Sequence, residues 1–509
     1  MKRIVTASEM KQLDLATIEG HGMPGMLLME RAALETVRIM EQYYEKNPAA
    51  AKRILVICGG GNNGGDGVAI TRILHLHGFS AEYTLTGNPD HYTEDLKKQI
   101  FIAQSYGVPC VTPGDYMDYT TIVDAVFGVG LSREVTGSYA EILSEMNAAT
   151  GWKVAVDIPS GIDGTTGKIL GTAFHADLTV TYGYRKAGLC LYPGRSYAGQ
   201  IHVADVGIYG EPEEGTSFAI QDADLTRIPE RTPDGNKGTF GKVLVVGGSE
   251  GMAGAAYFSA SAVLASGAGM VKVQTVKDNA IALQTLLPEA ILSTGDHETD
   301  YKKAFEWCDA LVIGPGLSTA AKNIAKTGTF LFKAFERQIP VVLDADGLNL
   351  LAENPLLLNY LSSNVILTPH MGEMSRLTGK SIAELKTDPA AHALEYAAQT
   401  GAIVVLKDAC TVVASPDGKV YYNLSGNEAM ATAGSGDVLS GILGALAAGF
   451  SRQGIEINTA ELAALGVYLH GKAGDMARNE LGTRGVKASD LIRYIPAVLK
   501  MTEKRGDRR

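Results

Sequence analysis

Apolar residues along the chain fall into two kinds of run. Over residues 8–47 they recur at helical spacing, most clearly in Met26-Leu-Leu-Met-Glu-Arg-Ala-Ala-Leu34, which predicts helix. Short, nearly continuous apolar runs follow at 53–58, 81–86, 121–126, 153–157 and 177–182, with helical patterns such as 66–77 and 90–106 between most of them. Strands alternating with helices predict parallel βαβ units and a doubly wound sheet. The pattern breaks over 207–240, where Glu211-Pro-Glu-Glu-Gly215, Pro229, Pro233 and Asp234-Gly235 interrupt any period. A domain boundary is expected there, with Leu225 and Ile228 apolar enough to dock on a core. Alternation restarts at Gly241-Lys-Val-Leu-Val-Val-Gly-Gly248, with strands predicted at 270–275, 309–314, 340–345, 363–368 and 402–407. A hairpin is expected from 410–414 and 419–422 around Ser415-Pro-Asp-Gly418, and helices over 433–478. The expected architecture is two different α/β domains, 1–215 and 222–503.

Composition narrows the classes. Of 509 residues, 59 are glycine, about 12% against a usual ~7%. The excess sits at strand ends, where tight strand-to-helix turns need it. A formal charge of −11 argues against a nucleic acid partner, which requires clustered Lys and Arg. The one obvious basic run, Lys504-Arg-Gly-Asp-Arg-Arg509, reads as a solvated tail. Cys58, Cys110, Cys190, Cys308 and Cys410 are scattered without metal spacing, as expected of reduced thiols in a cytoplasmic protein. No signal peptide is predicted. The most apolar stretch, 438–450, is too short to span a bilayer, so no membrane partner is expected.

Two glycine-rich turns carry the chemistry. The first, Gly59-Gly-Gly-Asn-Asn-Gly-Gly-Asp-Gly67, follows an apolar strand. It satisfies the Gly-x-Gly-x-x-Gly dinucleotide pattern of a Rossmann-like domain, with Glu82 near the ribose-binding distance. Asn62, Asn63 and Asp66 add side-chain oxygens that a plain phosphate turn does not need. Such oxygens suit a hard cation or a hydroxylated ligand; ordinary Asx-turn capping by Asp66 is the simpler reading of that residue. Asp124 and Asp157 stand at or near strand ends, where ligands bind in open parallel sheets. Asn63, Asp124, Asp157 and Ser160 are therefore expected to converge, and a cation or proton should accompany the buried carboxylates. The second turn, Gly434-Ser-Gly-Asp437, opens an apolar helix. Its N–H groups favour an anion, and Asp437 is placed to accept a proton from a substrate hydroxyl, as in phosphoryl transfer.

At these motifs the chain resembles a known family. Residues 1–210 resemble the epimerase domain of NAD(P)H-hydrate repair enzymes through Leu28-Met-Glu-Arg-Ala32, the Gly59–Gly67 turn, Val123-Asp-Ala-Val-Phe-Gly128 and Val156-Asp-Ile-Pro-Ser-Gly-Ile-Asp-Gly164. The resemblance implies that Asn62, Asn63, Gly64, Gly65, Asp66, Gly128, Val129, Gly130, Leu131, Ser132, Arg133, Glu134, Tyr139 and Asp157 contact the hydrated dinucleotide. It also implies that Asn63, Asp124 and Ser160 hold a potassium ion. Residues 236–500 resemble the ribokinase-like ADP-dependent NAD(P)H-hydrate dehydratases. The matching segments are 236–249, Ile313-Gly-Pro-Gly-Leu317, Leu343-Asp-Ala-Asp-Gly-Leu-Asn349, Thr368-Pro-His-Met-Gly-Glu373, Leu406-Lys-Asp-Ala-Cys-Thr411 and 427–437. This second resemblance implies that Ala255, Gly316, His370 and Asp437 meet the hydrated dinucleotide. Lys407, Asp408, Ala409, Cys410, Thr411, Asn427, Glu428, Ala429, Met430, Ala431, Thr432, Ala433, Gly434, Ser435 and Gly436 would meet ADP.

The implied function is bifunctional repair. One domain epimerises the R and S forms of hydrated NAD(P)H, with Asp157 moving the proton. The other dehydrates the S form: Asp437 deprotonates the hydroxyl for attack on the terminal phosphate of ADP, and loss of phosphate restores NAD(P)H and leaves AMP. Magnesium is expected to neutralise the phosphates. Small molecules are the expected partners, and a homo-oligomer the expected assembly. Three rivals remain at this point: a ribokinase-like vitamin or sugar kinase fused to a dinucleotide-binding domain, a redox dehydrogenase, and a dinucleotide sensor without turnover.

Overall fold

Three of the predicted apolar runs, 53–58, 121–126 and 153–157, become the middle of one sheet. A computed structural model describes residues 1–112, 115–208 and 216–503, so the expectations for 211–215 and 504–509 lie outside the described residues. The chain divides into two compact units, Arg3–Gly215 and Thr216–Arg509, the second also taking Met1–Lys2.

The sheet of the first unit is parallel throughout, in the order Ala81–Leu85, Ile54–Cys58, Thr121–Ala125, Trp152–Val156, Leu178–Tyr182, Gln200–Ala204. Ile54–Cys58 and Thr121–Ala125 are buried along their whole length, as strands covered on both faces must be. The sixth strand, Gln200–Ala204, alternates polar and apolar positions at the sheet edge and was not among the predicted runs. Chain order reverses between Ile54–Cys58 and Thr121–Ala125. The loops leaving those two strands therefore part to open a crevice at the sheet's carboxyl end.

The predicted 8–47 helix is broken. It comprises Ala7–Leu15, a wide turn Ala16–Gly20 and Gly25–Lys46. Pro24, whose ring cannot continue a helix, sits at the cap of the last piece. The first piece is closed by a capping box between Thr6 and Glu9.

In the second unit the sheet runs Ile291–Ser293, Met270–Gln274, Lys242–Val246, Ala310–Ile313, Val341–Leu343, Val365–Leu367, Ile403–Leu406, all parallel. The expected hairpin extends it antiparallel through Val412–Ala414 and Val420–Tyr422. Ser217–Ala219 then pairs parallel with Val420–Tyr422, a strand hidden in the polar stretch. The helix Ser435–Gln453 packs its apolar residues into this unit's core, beside Ala253–Ala265. Leu225 is buried in the same core, with Ile228 packed against it, so that part of the 207–240 stretch is docked chain.

Candidate functional sites

The crevice of the first unit holds a cavity of about 640 Å³. Its floor starts from the glycine turn. The helix Asn62–Leu76 begins right after Gly61, and a Cβ on Gly64 would lie 1.8 Å from the Gly59 carbonyl oxygen, so only glycine lets the turn close. Asp66 is not the cap. It lies inside this helix and lines the cavity, where burial and the nearby Asp157 push its carboxyl well above the usual range.

Asn62, Asn63, Asp66, Gly128, Val129, Gly130, Leu131, Ser132, Arg133 and Asp157 all line this cavity. Gly64 and Gly65 are buried beneath it; a Cβ on Gly65 would strike the Met29 side chain. Glu134 and Tyr139 are outside the lining set. Tyr139 instead stacks obliquely on Phe127, ring centroids 4.9 Å apart.

Asp157 follows the strand Trp152–Val156 at φ 65°, a left-handed conformation uncommon for a residue with a side chain. Its Oδ1 accepts hydrogen bonds from Lys186 Nζ (2.5 Å), Thr181 Oγ1 (3.2 Å) and the Tyr182 N–H (3.2 Å). Its Oδ2 accepts none from the described residues. Lys186, 1% exposed, spends its other donors on Thr181 Oγ1 (3.0 Å) and the Tyr182 carbonyl (2.9 Å). Asp14, on the helix Ala7–Leu15, enters the same cavity. Neither Lys186 nor Asp14 was singled out from sequence. Lys186 belongs to a two-residue strand without a motif. The available signal was a lysine shortly after an apolar strand, beside an acid that needs a counter-charge.

Asp124 and Ser160 meet next to this cavity. Asp124 accepts from Ser160 Oγ (2.6 Å), Ser160 N–H (2.7 Å) and Val126 N–H (3.1 Å). Its carboxyl is fully buried and pushed up to about 6, burial outweighing those hydrogen bonds. No lysine, arginine or histidine among the described residues forms an ion pair with it. Asn63 approaches the same loop through Gly128, and its buried Nδ2 has no partner.

In the second unit, Gly434 takes φ 88° and caps the helix Ser435–Gln453, which leaves Asp437 in the first turn. A Cβ on Gly436 would sit 3.4 Å from Lys407 Nζ and 3.9 Å from Asp344 Oδ2, so turn, lysine and acid form one cluster. Lys407 Nζ lies 2.8 Å from Asp344 and 3.9 Å from Glu373. Burial opposes its charge, but these acids raise it above the ordinary lysine value. Burial, then the neighbouring Asp344, pushes Asp437 up to about 7. No described hydrogen bond reaches its carboxyl oxygens.

His370 caps the helix Met371–Thr378. Its Nδ1 accepts from the N–H groups of Gly372 (2.9 Å) and Glu373 (3.3 Å), and its Nε2 lies 3.6 Å from Glu373 Oε1. A short bridge pairs His370 with Lys407. Ala255 stands in the first turn of Ala253–Ala265 and packs against Gly316.

Asp408, Ala409, Cys410 and Thr411 form the bend between Ile403–Leu406 and Val412–Ala414. The segment from Asn427 through Glu428, Ala429, Met430, Ala431, Thr432 and Ala433 leads into the glycine turn. Asp475 anchors it through the Gly426 N–H (3.2 Å) and Asn427 Nδ2 (2.8 Å). Buried His470 meets Ser435 Oγ at 3.3 Å, and burial pushes its imidazole down to about 4. Asp475 and His470 also escaped sequence reading, because they lie inside a largely buried helix, Thr459–Leu481, with no glycine-turn signature.

Comparison with known proteins separates the readings left open by sequence. Residues 243–497 match the family model described as NAD(P)H-hydrate dehydratase, and residues 26–188 the model described as YjeF-related protein N-terminus. The bifunctional NAD(P)H-hydrate repair enzyme Nnr of Moorella thermoacetica is 37% identical over 98% of this chain and 97% of its own. The enzyme of the same name from Thermofilum pendens is 34% identical over 98% and 96%. Among solved structures, a ribokinase-like superfamily protein from Enterococcus faecalis superposes with a TM-score of 0.50 at 28% identity, covering 58% of this chain and 99% of that one.

Proposed function

The chain belongs to the bifunctional NAD(P)H-hydrate repair enzymes, and from that premise we propose that each of its two sites carries one of the two activities. The crevice of residues 3–215 epimerises the hydrated nicotinamide ring. The Gly434–Asp437 cluster dehydrates the S form with ADP. The single observation that carries the reading is the state of Asp437: a carboxyl raised to about 7, at a helix N-terminus, beside Lys407. A base that strong in a place that attracts phosphate is what hydroxyl activation for phosphoryl transfer requires.

In the dehydratase site, the N–H groups at the head of Ser435–Gln453 receive the terminal phosphate of ADP. Lys407 adds positive charge where the transferring phosphoryl group develops negative charge. Asp437 takes the hydroxyl proton, the oxygen attacks the terminal phosphorus of ADP as the bond from that phosphorus to AMP breaks, and the ring nitrogen's lone pair then expels phosphate from the phosphorylated hydrate. Among the described residues no three acidic, histidine or cysteine side chains form a ready metal cage. Magnesium would therefore be held chiefly by nucleotide phosphates, whose charge it neutralises.

In the epimerase site, Asp157 Oδ2 faces the cavity as the proton-transfer atom. Expelling the hydroxyl as water leaves an iminium, and water adding to the other face inverts the carbon. Potassium suits the neighbouring donor set. Asn63 and Ser160 offer neutral oxygens, and Asp124 is a single buried carboxylate without a protein cation. The unpartnered Asn63 amide gives such an ion an oxygen on rotation of its amide. The ion would neutralise Asp124 and hold the 126–130 loop in place.

Full-length similarity to two-domain repair enzymes disfavours a vitamin or sugar kinase, whose relatives would align with the second unit alone. Incubation with hydrated NADH and ADP tests the proposal: recovery of NADH absorbance with release of AMP supports it, whereas phosphorylation of a vitamin or sugar without that recovery favours the kinase. The scattered free cysteines support a reducing compartment such as the cytoplasm.

A further inference from the structure

Inversion of a hydroxylated carbon through an iminium needs two proton movements. One proton must reach the departing hydroxyl, and another must leave the entering water. In the starting state Lys186 suits Asp157 to the second of these. All three ammonium hydrogens of Lys186 are committed, to Asp157 Oδ1, Thr181 Oγ1 and the Tyr182 carbonyl. Asp157 Oδ1 takes two further donors. Oδ1 is thus filled by donors, one of them a buried ammonium 2.5 Å away, and Oδ2 is the oxygen left to accept a proton.

We propose that Asp14 is the second proton-transfer group of this cavity, supplying the proton on which the hydroxyl leaves while Asp157 receives the proton of the water that enters. Asp14 reaches the cavity from the N-terminal helix, and Asp157 from the end of a sheet strand. No described hydrogen bond engages the Asp14 carboxyl. Burial raises it to about 6, against the pull of Lys186 and with a push from Asp157, so it holds a proton far more readily than a free aspartate does. Lys186 and Asp157 act on it most strongly and Asp66 faces it; the other charged and titratable groups lining the same cavity are Tyr182, Asp95, Arg133 and, on its own helix, Lys11.

The C–O bond breaks as the Asp14 proton moves to the hydroxyl oxygen, giving water and an iminium. A second water forms the new C–O bond on the opposite face and gives its proton to Asp157 Oδ2. The pair ends with Asp14 ionised and Asp157 protonated, which is the state that runs the reverse epimerisation. Return to the starting state needs one proton passed from Asp157 to Asp14, directly or through solvent.

The inference rests on epimerisation occurring in this cavity. Wild-type turnover of R hydrate, and its loss in Asp157→Asn, decide that point before Asp14 is read. The experiment is then steady-state epimerisation by the full-length protein across pH 5–9, for wild type, Asp14→Asn and Asp14→Glu, with the thermal midpoint of each. We expect Asp14→Asn to lower kcat at least about 100-fold, the usual scale of general acid catalysis, with KM within about threefold. The wild-type decline of kcat on the alkaline side should disappear in Asp14→Asn and return in Asp14→Glu, with part of the rate. A folded Asp14→Asn that keeps kcat within threefold, or that loses rate only through KM with an unchanged pH profile, overturns the inference. Should Asp14→Asn fail to fold, Asp14→Glu decides: an alkaline limb unmoved from wild type overturns it, and a displaced one supports it.

Discussion

Asp437 shows how one residue trades stability for chemistry. Its carboxyl holds a proton up to about 7 in the fold, against an ordinary aspartate value of 3.8. Between those values the folded chain binds more proton than the unfolded one, so stability falls as pH rises through roughly 4 to 7 and stays low above it. Asp437→Asn removes that cost. We expect the variant to be more stable than wild type at pH 8 by on the order of 1–3 kcal/mol, a difference that vanishes toward pH 4, read from denaturant midpoints at both pH values. The same change should abolish dehydration. In the wild type, dehydratase kcat/KM should climb with pH through about 7, since only the ionised carboxyl accepts the hydroxyl proton. Asp124, also raised by burial, adds a linkage of the same sign in the other unit. Saturating potassium should lessen its effect, since a bound cation keeps that carboxyl ionised.

At the scale of elements, both sites depend on glycine turns that fail in different ways. Gly64→Ala forces a methyl against the Gly59 carbonyl, a backbone atom that cannot move aside. It should destabilise the first unit by roughly 3 kcal/mol and cost epimerisation, with dehydration intact. Gly436→Ala meets the flexible Lys407 end at 3.4 Å and, at an ordinary contact distance of 3.9 Å, Asp344 Oδ2. It should fold with little change in thermal midpoint yet raise KM for ADP several-fold, because its methyl intrudes where phosphate must approach the N–H groups.

Elements of this kind were the legible part of the sequence. Glycine turns and continuous apolar runs are local signals, and they located ten of the parallel strands, the hairpin and the Asn63–Asp124–Asp157–Ser160 neighbourhood. The edge strand Gln200–Ala204 and the buried Ser217–Ala219 were not legible. The first is half exposed and lacks a continuous apolar run, and the second is three residues in a polar stretch. Lys186, Asp14, His470 and Asp475 stayed hidden for another reason. Lys186, His470 and Asp475 each meet a partner distant in sequence, and Asp14 reaches the cavity from the N-terminal helix, so only the packed chain shows that Lys186 pairs with Asp157 or that Asp475 holds the loop at Asn427. Asp475→Ala should accordingly raise KM for ADP by about tenfold, the loss of two anchoring hydrogen bonds at ~1 kcal/mol each partly offset by solvent, while epimerisation is unchanged.

For the whole molecule, the proposed division gives two reactions on one substrate to two compact units, each with its own base and its own way of meeting charge. The first neutralises Asp157 with a buried lysine and offers oxygens for a monovalent cation. The second gathers Lys407 and helix N–H groups around a nucleotide's phosphates. Asp437 is set by burial and by Asp344, Lys407, Asp346 and Glu373 of its own unit, and Asp157 pairs with Lys186 of its own, so the activities should separate by mutation and recombine by mixing. The direct measurement is recovery of NADH absorbance from an R and S hydrate mixture with ADP, by Asp157→Asn, Asp437→Asn and an equimolar mixture of the two folded variants. Asp157→Asn should restore the S fraction at the wild-type rate and stall on the R fraction, Asp437→Asn should restore none, and the mixture should restore both. Restoration of both forms at the wild-type rate by Asp157→Asn alone, or dehydration by Asp437→Asn, would contradict the account.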